Sequence, residues 1–192
     1  MLSSTGVTDC NRHRGRRRFP VAIALAFYGI LALLGACSKH ETFQHANLDA
    51  SGELHAVTST GRILQVPQLG GQAGVEQIVL SPNHQALGWL SLYPNAGTTY
   101  PIPLALTVLR PDAAKTTIKA DLPIWQWAFA SNDKQVVLRE APVHGSAPTH
   151  YELRDARTGT LVASADVDAS PSSKPPAWAR SVVAATEMSK GR

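Results

Sequence analysis

The sequence predicts an all-β protein, an antiparallel meander or sandwich of about 8–10 short strands. From Leu48 to Val167, short runs rich in β-branched, aliphatic and aromatic residues are separated by turn residues every 8 to 15 positions. No window of helical length in this region carries a sustained apolar stripe at a 3.6-residue period. A weak internal repeat also favours repeated strand units.

The individual strands are placed by apolar runs and by the turns between them. Turns are expected at sites such as Thr60-Gly61 and Thr158-Gly159, because glycine adopts positive φ without strain. The segment Tyr100 to Pro103 is not expected to be a central strand, because its two prolines remove ladder donors. The predicted strands span residues 53–58, 62–66, 75–80, 86–93, 104–110, 116–120, 124–129, 135–140, 150–154 and 160–165.

An internal repeat relates residues 77–87 to residues 126–136 at an offset of 49. In each copy a strand ends at a large apolar residue, turns through an Asn-containing tetrapeptide and re-enters an apolar strand. The turn Ser81-Pro82-Asn83-His84 and the segment 152–159 resemble the blade turns of WD40-like and TolB-like periplasmic β-propellers. The resemblance covers residues 48–166, about two and a half blades, and implies propeller-blade-like repeats.

A closed propeller typically needs about four or more blades, which this chain does not supply. Two alternatives follow. Either blades from several chains assemble together, or one chain folds as an open meander or sandwich. The single-chain form is preferred, because it requires no association step.

The N-terminal region reads as a targeting segment. Five arginines, the last of them Arg18, precede sixteen uncharged and mostly apolar residues from Val21 to Ala36. This length is short of the roughly 20 residues of a membrane-spanning helix, and the arrangement is typical of a secretory signal peptide. A retained N-terminal membrane helix is the alternative.

The end of this segment, Leu34-Gly35-Ala36-Cys37, resembles the lipobox of bacterial lipoproteins. The resemblance implies that Cys37 becomes the first residue of the mature protein and is lipidated, which attaches the protein to a membrane without crossing it. Ser38 is not the aspartate that retains many lipoproteins at the inner membrane, so an outer-membrane location facing the periplasm is expected. Arg16-Arg17-Arg18-Phe19 leaves twin-arginine export open beside ordinary secretion.

Cleavage would remove the excess of positive charge. The residues after Ala36 include 13 basic and 13 acidic side chains, so nucleic acid is not an expected partner. Cys10 would be removed and Cys37 lipidated, which leaves no thiol for a disulfide, so the domain must be held by its core.

The expected organisation has four parts. A signal peptide at 1–36 is followed by a tether at 37–47, a β-domain at 48–169 and a Pro/Ser-rich linker with a flexible or short helical tail at 170–192. The tail could form a helix from residue 177 to 188, or remain a frayed polar segment.

Few residues indicate chemistry. His144 and His150 flank a short polar loop, with Glu140 and Glu152 on the adjoining strands. They could serve an envelope hydrolase or a metal site, or be two exposed imidazoles of a hairpin loop. No Gly-x-Ser-x-Gly nucleophile elbow occurs, so no catalytic residue is assigned, and no metal or other cofactor is expected.

Aromatic residues are the best candidates for contact with a ligand or partner. Trp125 and Trp127 are two positions apart, which places both on one face of a regular strand, although packing in the core is the alternative. The leading expectation is a membrane-anchored periplasmic lipoprotein that acts as a binding module for an envelope protein or polymer. A hydrolase and a purely structural lipoprotein are the alternatives. The candidate contact residues are Tyr93, Tyr100, Trp125, Trp127, His144 and His150.

Overall fold

A computed structural model describes residues 40–168, 170 and 173–183 of the chain. These residues belong to one compact unit that begins at His40. The predicted signal peptide and Cys37 lie outside the described residues. The strands are β1 Phe43–Leu48, β2 Leu54–Thr58, β3 Ile63–Val66, β4 Gly74–Leu80, β5 Leu87–Tyr93, β6 Ile102–Leu109, β7 Lys115–Lys119, β8 Ile124–Ala130, β9 Gln135–Glu140, β10 Thr149–Asp155 and β11 Leu161–Val167.

The strands form three antiparallel sheets in chain order. β1–β2–β3 make the first sheet, β4–β5–β6–β7 the second and β8–β9–β10–β11 the third. Each sheet is a meander in which neighbours along the chain pair with one another. The all-β meander with repeated strand units is therefore confirmed. The internal repeat corresponds to the first hairpins of the second and third sheets.

The sheets are stacked face to face, and the second sheet is buried on both faces. Alternation along β5 sends Leu87 and Trp89 toward the first sheet and Leu90 toward the third. Gly88 lies on the side of the third sheet, against the indole of Trp127. The first interface also contains Phe43, Leu54, Ala56, Val66 and Leu109, and the second contains Leu106, Val108, Ile118, Ile124, Val136 and Leu138.

The outer face of the third sheet is covered by the C-terminal segment. A 3-10 helix, η1 at Ala177–Ala179, leads into a helical turn over 180–183. Ala179 and Val182 are fully buried against Val137, Tyr151 and Leu153. Part of the predicted tail is therefore an integral part of the domain. A segment of the same chain therefore covers the outer face of the third sheet.

Two strand expectations need correction. β1 falls inside the segment predicted as tether, and Phe43 is only 1% exposed. Pro103 lies within β6, a strand between β5 and β7, although the two prolines argued against a central strand. The ladder with β7 begins only at Ala105, and β6 pairs at Pro103 with β5 alone. The proline therefore sits where β6 is locally an edge.

Among the described residues, none of the helical segments has the length and apolar character needed to cross a bilayer.

Candidate functional site

Because consecutive strands are antiparallel, successive connections between strands lie alternately at the two ends of the stack of sheets. We call the end with the connections 49–53, 67–73, 94–101, 120–123 and 141–148 the loop end, and the other the turn end. At the turn end, the amide of Asn83 contacts the carboxylate of Asp133 in the neighbouring sheet. The two longest connections, 94–101 and 141–148, both lie at the loop end.

A cluster of charged side chains lies at the loop end of the third sheet. Antiparallel pairing sets His150 of β10 opposite Glu140 of β9 on one side and opposite Asp166 of β11 on the other. Side chains two residues apart on a strand share a face, so Glu152 lies beside His150. The register thus brings three acids and one histidine together.

Hydrogen bonds hold most of this cluster in place. Arg154 donates from Nε to Glu152 Oε2 at 2.6 Å and from Nη2 to Glu152 Oε1 at 2.9 Å. It also donates from Nη1 to the carbonyl of Gly159 at 3.0 Å. His150 Nδ1 lies 2.6 Å from Asp166 Oδ1, and its Nε2 lies 3.5 Å from Glu152 Oε1. Both oxygens of Glu152 are therefore engaged.

Glu140 is the exception. Its side chain belongs to a residue that is 3% exposed, and its Oε1 has no hydrogen-bond partner. Burial, and then the negative charge of Glu152, raise the pKa of Glu140 to about 7. A hydrogen bond with Glu152 also favours the protonated form of Glu140. A buried carboxyl oxygen without a donor is stable only when the carboxyl is protonated or when a ligand supplies the donor.

The two neighbouring groups, Glu152 and His150, have pKa values shifted toward their charged forms. Burial opposes ionisation of Glu152, but its hydrogen bonds from Arg154 outweigh this effect and lower its pKa. Burial also opposes the charging of His150, but the hydrogen bond to Asp166 raises its pKa. The cluster therefore holds an ionised Glu152 beside a Glu140 that favours its proton.

The cluster opens into a cleft of about 260 Å³ between the second and third sheets. Its other wall is the end of β7 and the β7–β8 connection, including Lys119, Asp121 and Leu122. Lys119 and Asp121 are exposed, whereas Glu140 is buried. Glu140 thus forms the floor of the cleft and the two exposed groups its rim. We call this feature the Glu140 cleft.

The predicted pair of histidines is not held together. His150 belongs to the charged cluster, whereas His144 is exposed in the β9–β10 loop. Tyr93 is half-buried and lines a second cleft with Lys119 and Ala120, and Tyr100 is 51% exposed in the β5–β6 loop. These four candidate residues thus all lie at the loop end.

The two tryptophans have different surroundings. A register shift between Ile124 and Gln126 interrupts the alternation on which a shared face was predicted. Trp127 is 5% exposed and its ring meets Phe129 edge-on at 5.1 Å, so it serves the core. The indole of Trp125 is half-buried and donates to the carbonyl of Ala141 at 2.8 Å, which ties it to the base of the β9–β10 loop.

Arg154, Asp166 and Asp121 were not singled out from the sequence. A signal for Arg154 was present, because His150, Glu152 and Arg154 occupy every second position of one strand. Such a run places three ionisable groups on one face. Asp166 and Asp121 come from other elements, and only the pairing of the sheet and the stacking of the sheets bring them near.

A second group of polar residues lies at the β1–β2 turn. Ligand atoms of Asp49, Glu53 and His55 lie within 4.8 Å of one another, an arrangement that could hold a metal ion. Asp49 Oδ1 accepts from the amides of Ser51 and Glu53, and its Oδ2 pairs with His55 Nε2 at 2.9 Å. Hydrogen bonds, first from Ser51 and then from His55, lower the pKa of Asp49. The hydrogen bonds of Asp49 cap the β1–β2 turn, and this role explains the close approach of the three side chains.

Fold and site together define the class of protein as an all-β domain of three antiparallel sheets with repeated strand units and a charged cleft between two of them. A scan against protein-family models gives no match, and a search of the curated proteins finds no relative. Function therefore has to be argued from the residues themselves.

Proposed function

We propose that this protein is a lipid-anchored binding module of the bacterial cell envelope, whose partner or ligand contacts the loop end of the β-domain. The anchor is Cys37, and its membrane is the outer membrane on the periplasmic side. The anchor is supported by the sequence Leu34-Gly35-Ala36-Cys37 after an Arg-rich start and sixteen uncharged residues. Attachment through acyl chains leaves the whole β-domain free to meet a partner.

The binding function is supported by one observation, the buried Oε1 of Glu140 that has no hydrogen-bond partner at the floor of a cleft. Buried polar atoms in native proteins almost always have a hydrogen-bond partner, and an exception calls for a specific explanation. Concave sites with a few convergent polar groups and a shifted pKa are typical of ligand sites. A ligand that reaches this cleft would supply the missing partner.

A hydrolase is the second candidate, because a carboxyl with a pKa near 7 suits general acid–base chemistry. Two features disfavour it. Both oxygens of Glu152, the carboxylate beside Glu140, are hydrogen-bonded to Arg154, and the remaining carboxylate of the lining, Asp121, lies at the exposed rim. His144, one of the two histidines that this function would use, is exposed in the loop and outside the cluster. Binding therefore remains the better proposal.

The proposal is tested by photo-cross-linking in living cells. A photoreactive phenylalanine analogue is placed at Tyr100 or His144, which are exposed at the loop end. Matched positions at the turn end are Asp112 and Arg157, which are also exposed. We expect a discrete cross-linked species from the loop-end positions and none from the turn-end positions, as judged by immunoblot and mass spectrometry.

Equal adducts from both ends would indicate non-specific collision and would contradict the proposal. Adducts confined to the turn end would place the partner elsewhere. Each variant is first checked for wild-type abundance, so that a missing adduct reflects a missing contact.

A further inference from the structure

The strongest unexplained feature is the set of charges around Glu140. Glu152 faces it from β10, with His150 and Arg154 on the same strand. On the opposite wall, Lys119 lies at the end of β7 and Asp121 in the β7–β8 connection. Asp166 of β11 reaches it only through His150. Arg154 forms its ion pair with Glu152, and none of the ion pairs among the described residues includes Glu140. The charges of His150 and Arg154 act on Glu140 only from a distance, where they oppose the rise of its pKa.

We propose that the Glu140 cleft binds a primary ammonium group carried on an aliphatic chain of lysine size. An ammonium has three donors and a compact positive charge. One donor satisfies Glu140 Oε1, and the charge is further stabilised by Asp121 at the rim of the cleft. The inference rests on the proposed binding function and names the chemistry that the site recognises.

The walls and the volume suit such a chain. Ala120 and Leu122 contribute apolar surface beside the charged groups. A volume of about 260 Å³ lies just below the roughly 300–1,000 Å³ of pockets that enclose drug-sized ligands. The cleft therefore fits one side chain or one small amine better than a large ligand.

Other ligand chemistries fit less well. An anion would meet Glu140 at the floor and Asp121 at the rim of the cleft. Of the basic residues in the lining, Arg154 is paired with Glu152 and His150 with Asp166, which leaves the exposed Lys119 to attract an anion. A divalent metal needs several oxygen ligands, and Arg154 occupies one lone pair on each oxygen of Glu152 and places a positive charge beside them. An ammonium needs only one free carboxylate.

Binding of an ammonium requires Glu140 to lose its proton. The raised pKa of Glu140, about 7, means that this proton is held at pH 6 and released at pH 8. The ligand therefore displaces a proton, and its affinity is expected to fall about tenfold between pH 8 and pH 6.

The test is a titration of the detergent-extracted full chain, followed by amide chemical shifts in NMR spectra. The probe is Nα-acetyl-lysine N-methylamide, and the matched control is the same molecule acetylated on its side-chain nitrogen, which lacks the charge. Saturable shifts centred on Glu140, His150 and Glu152 are expected with the probe at pH 8, and none with the control. Phosphoethanolamine is the third ligand, and its phosphate should prevent binding.

Three variants sharpen the test. Glu140→Gln should weaken binding at least tenfold. Lys119→Gln removes a repelling cation from the exposed rim and should strengthen binding two- to threefold. Asp133→Asn, at the turn end, should change nothing. If Glu140→Gln does not fold, Asp121→Asn at the exposed rim takes its place, with a smaller loss expected.

Equal shifts from the charged and the acetylated probe would overturn the inference, as would binding of phosphoethanolamine alone. So would an absence of shifts at pH 8. If that absence accompanies intact cross-links from the loop end, only the ligand chemistry is wrong. If the cross-links are absent as well, the proposed binding function fails with it.

Discussion

Adding one methyl group at Gly88 should destabilise the protein by about 3 kcal/mol or more, because the interior is close-packed. A Cβ at this position would lie 2.2 Å from Cη2 of Trp127 and 2.9 Å from two further atoms of the same ring. Gly88 is on β5, in the middle of the sheet that is buried on both faces, so neither sheet can yield without opening the core. The free energy of unfolding of Gly88→Ala, measured by urea denaturation, checks this.

Gly70→Ala is the matched control. Its Cβ would meet nothing within 4 Å, and Gly70 does not adopt positive φ. Replacing Trp127 by Phe in the Gly88→Ala background removes the ring atoms that clash and should recover part of the loss. A Gly88→Ala protein as stable as wild type, or no coupling between the two positions, would contradict the stacking of the second and third sheets described above.

The second large effect is a dependence of stability on pH that Glu140 creates. In the native protein Glu140 keeps its proton up to a pH of about 7, whereas in the unfolded chain it loses the proton near its ordinary pKa of 4.5. Between these values the native state holds more protons than the unfolded state. The free energy of unfolding therefore falls as pH rises from 4.5 to 7, by up to about 3 kcal/mol.

Glu140→Gln should remove the part of this decline that Glu140 causes, because the amide does not titrate. The declines that follow from the raised pKa values of His150 and Glu76 should remain. The measurement is urea denaturation of both proteins at several pH values from 4 to 8. Above pH 7 the variant should be the more stable protein, since wild type then carries an unpaired buried carboxylate. Glu53→Gln, which alters a carboxylate at the loop end outside the cleft, is the control and should leave the decline in place. Parallel profiles for wild type and Glu140→Gln would show that Glu140 ionises normally in the native state.

The fold was largely predictable from the sequence, because strands and turns leave local signals. All ten predicted strands lie on observed ones, with differences of at most two residues at their ends. β1 was overlooked because only Phe43 of its six residues is buried, and polar residues such as His45 and Asn47 weaken the alternating pattern. The position of Pro103 depended on where the β7 ladder starts, which is a property of pairing rather than of composition.

The candidate site was only partly predictable. Glu140, Glu152 and His150 were noticed because they flank one hairpin, but His144 was paired with His150 on sequence proximity alone. The strand register determines which histidine joins the cluster, because His150 is opposite Glu140 and Asp166 while His144 is in the loop. The contribution of Asp121 comes from the stacking of two sheets, which no local pattern in the sequence encodes.

The lipid anchor is tested most directly by the intact mass of the protein extracted from membranes, beside a Cys37→Ser variant. We expect a species that starts at Cys37 and carries the added mass of a diacylglycerol and an amide-linked acyl chain, and we expect the variant to lack it. An unmodified chain that retains Met1 would contradict the anchor and would indicate a retained N-terminal helix instead.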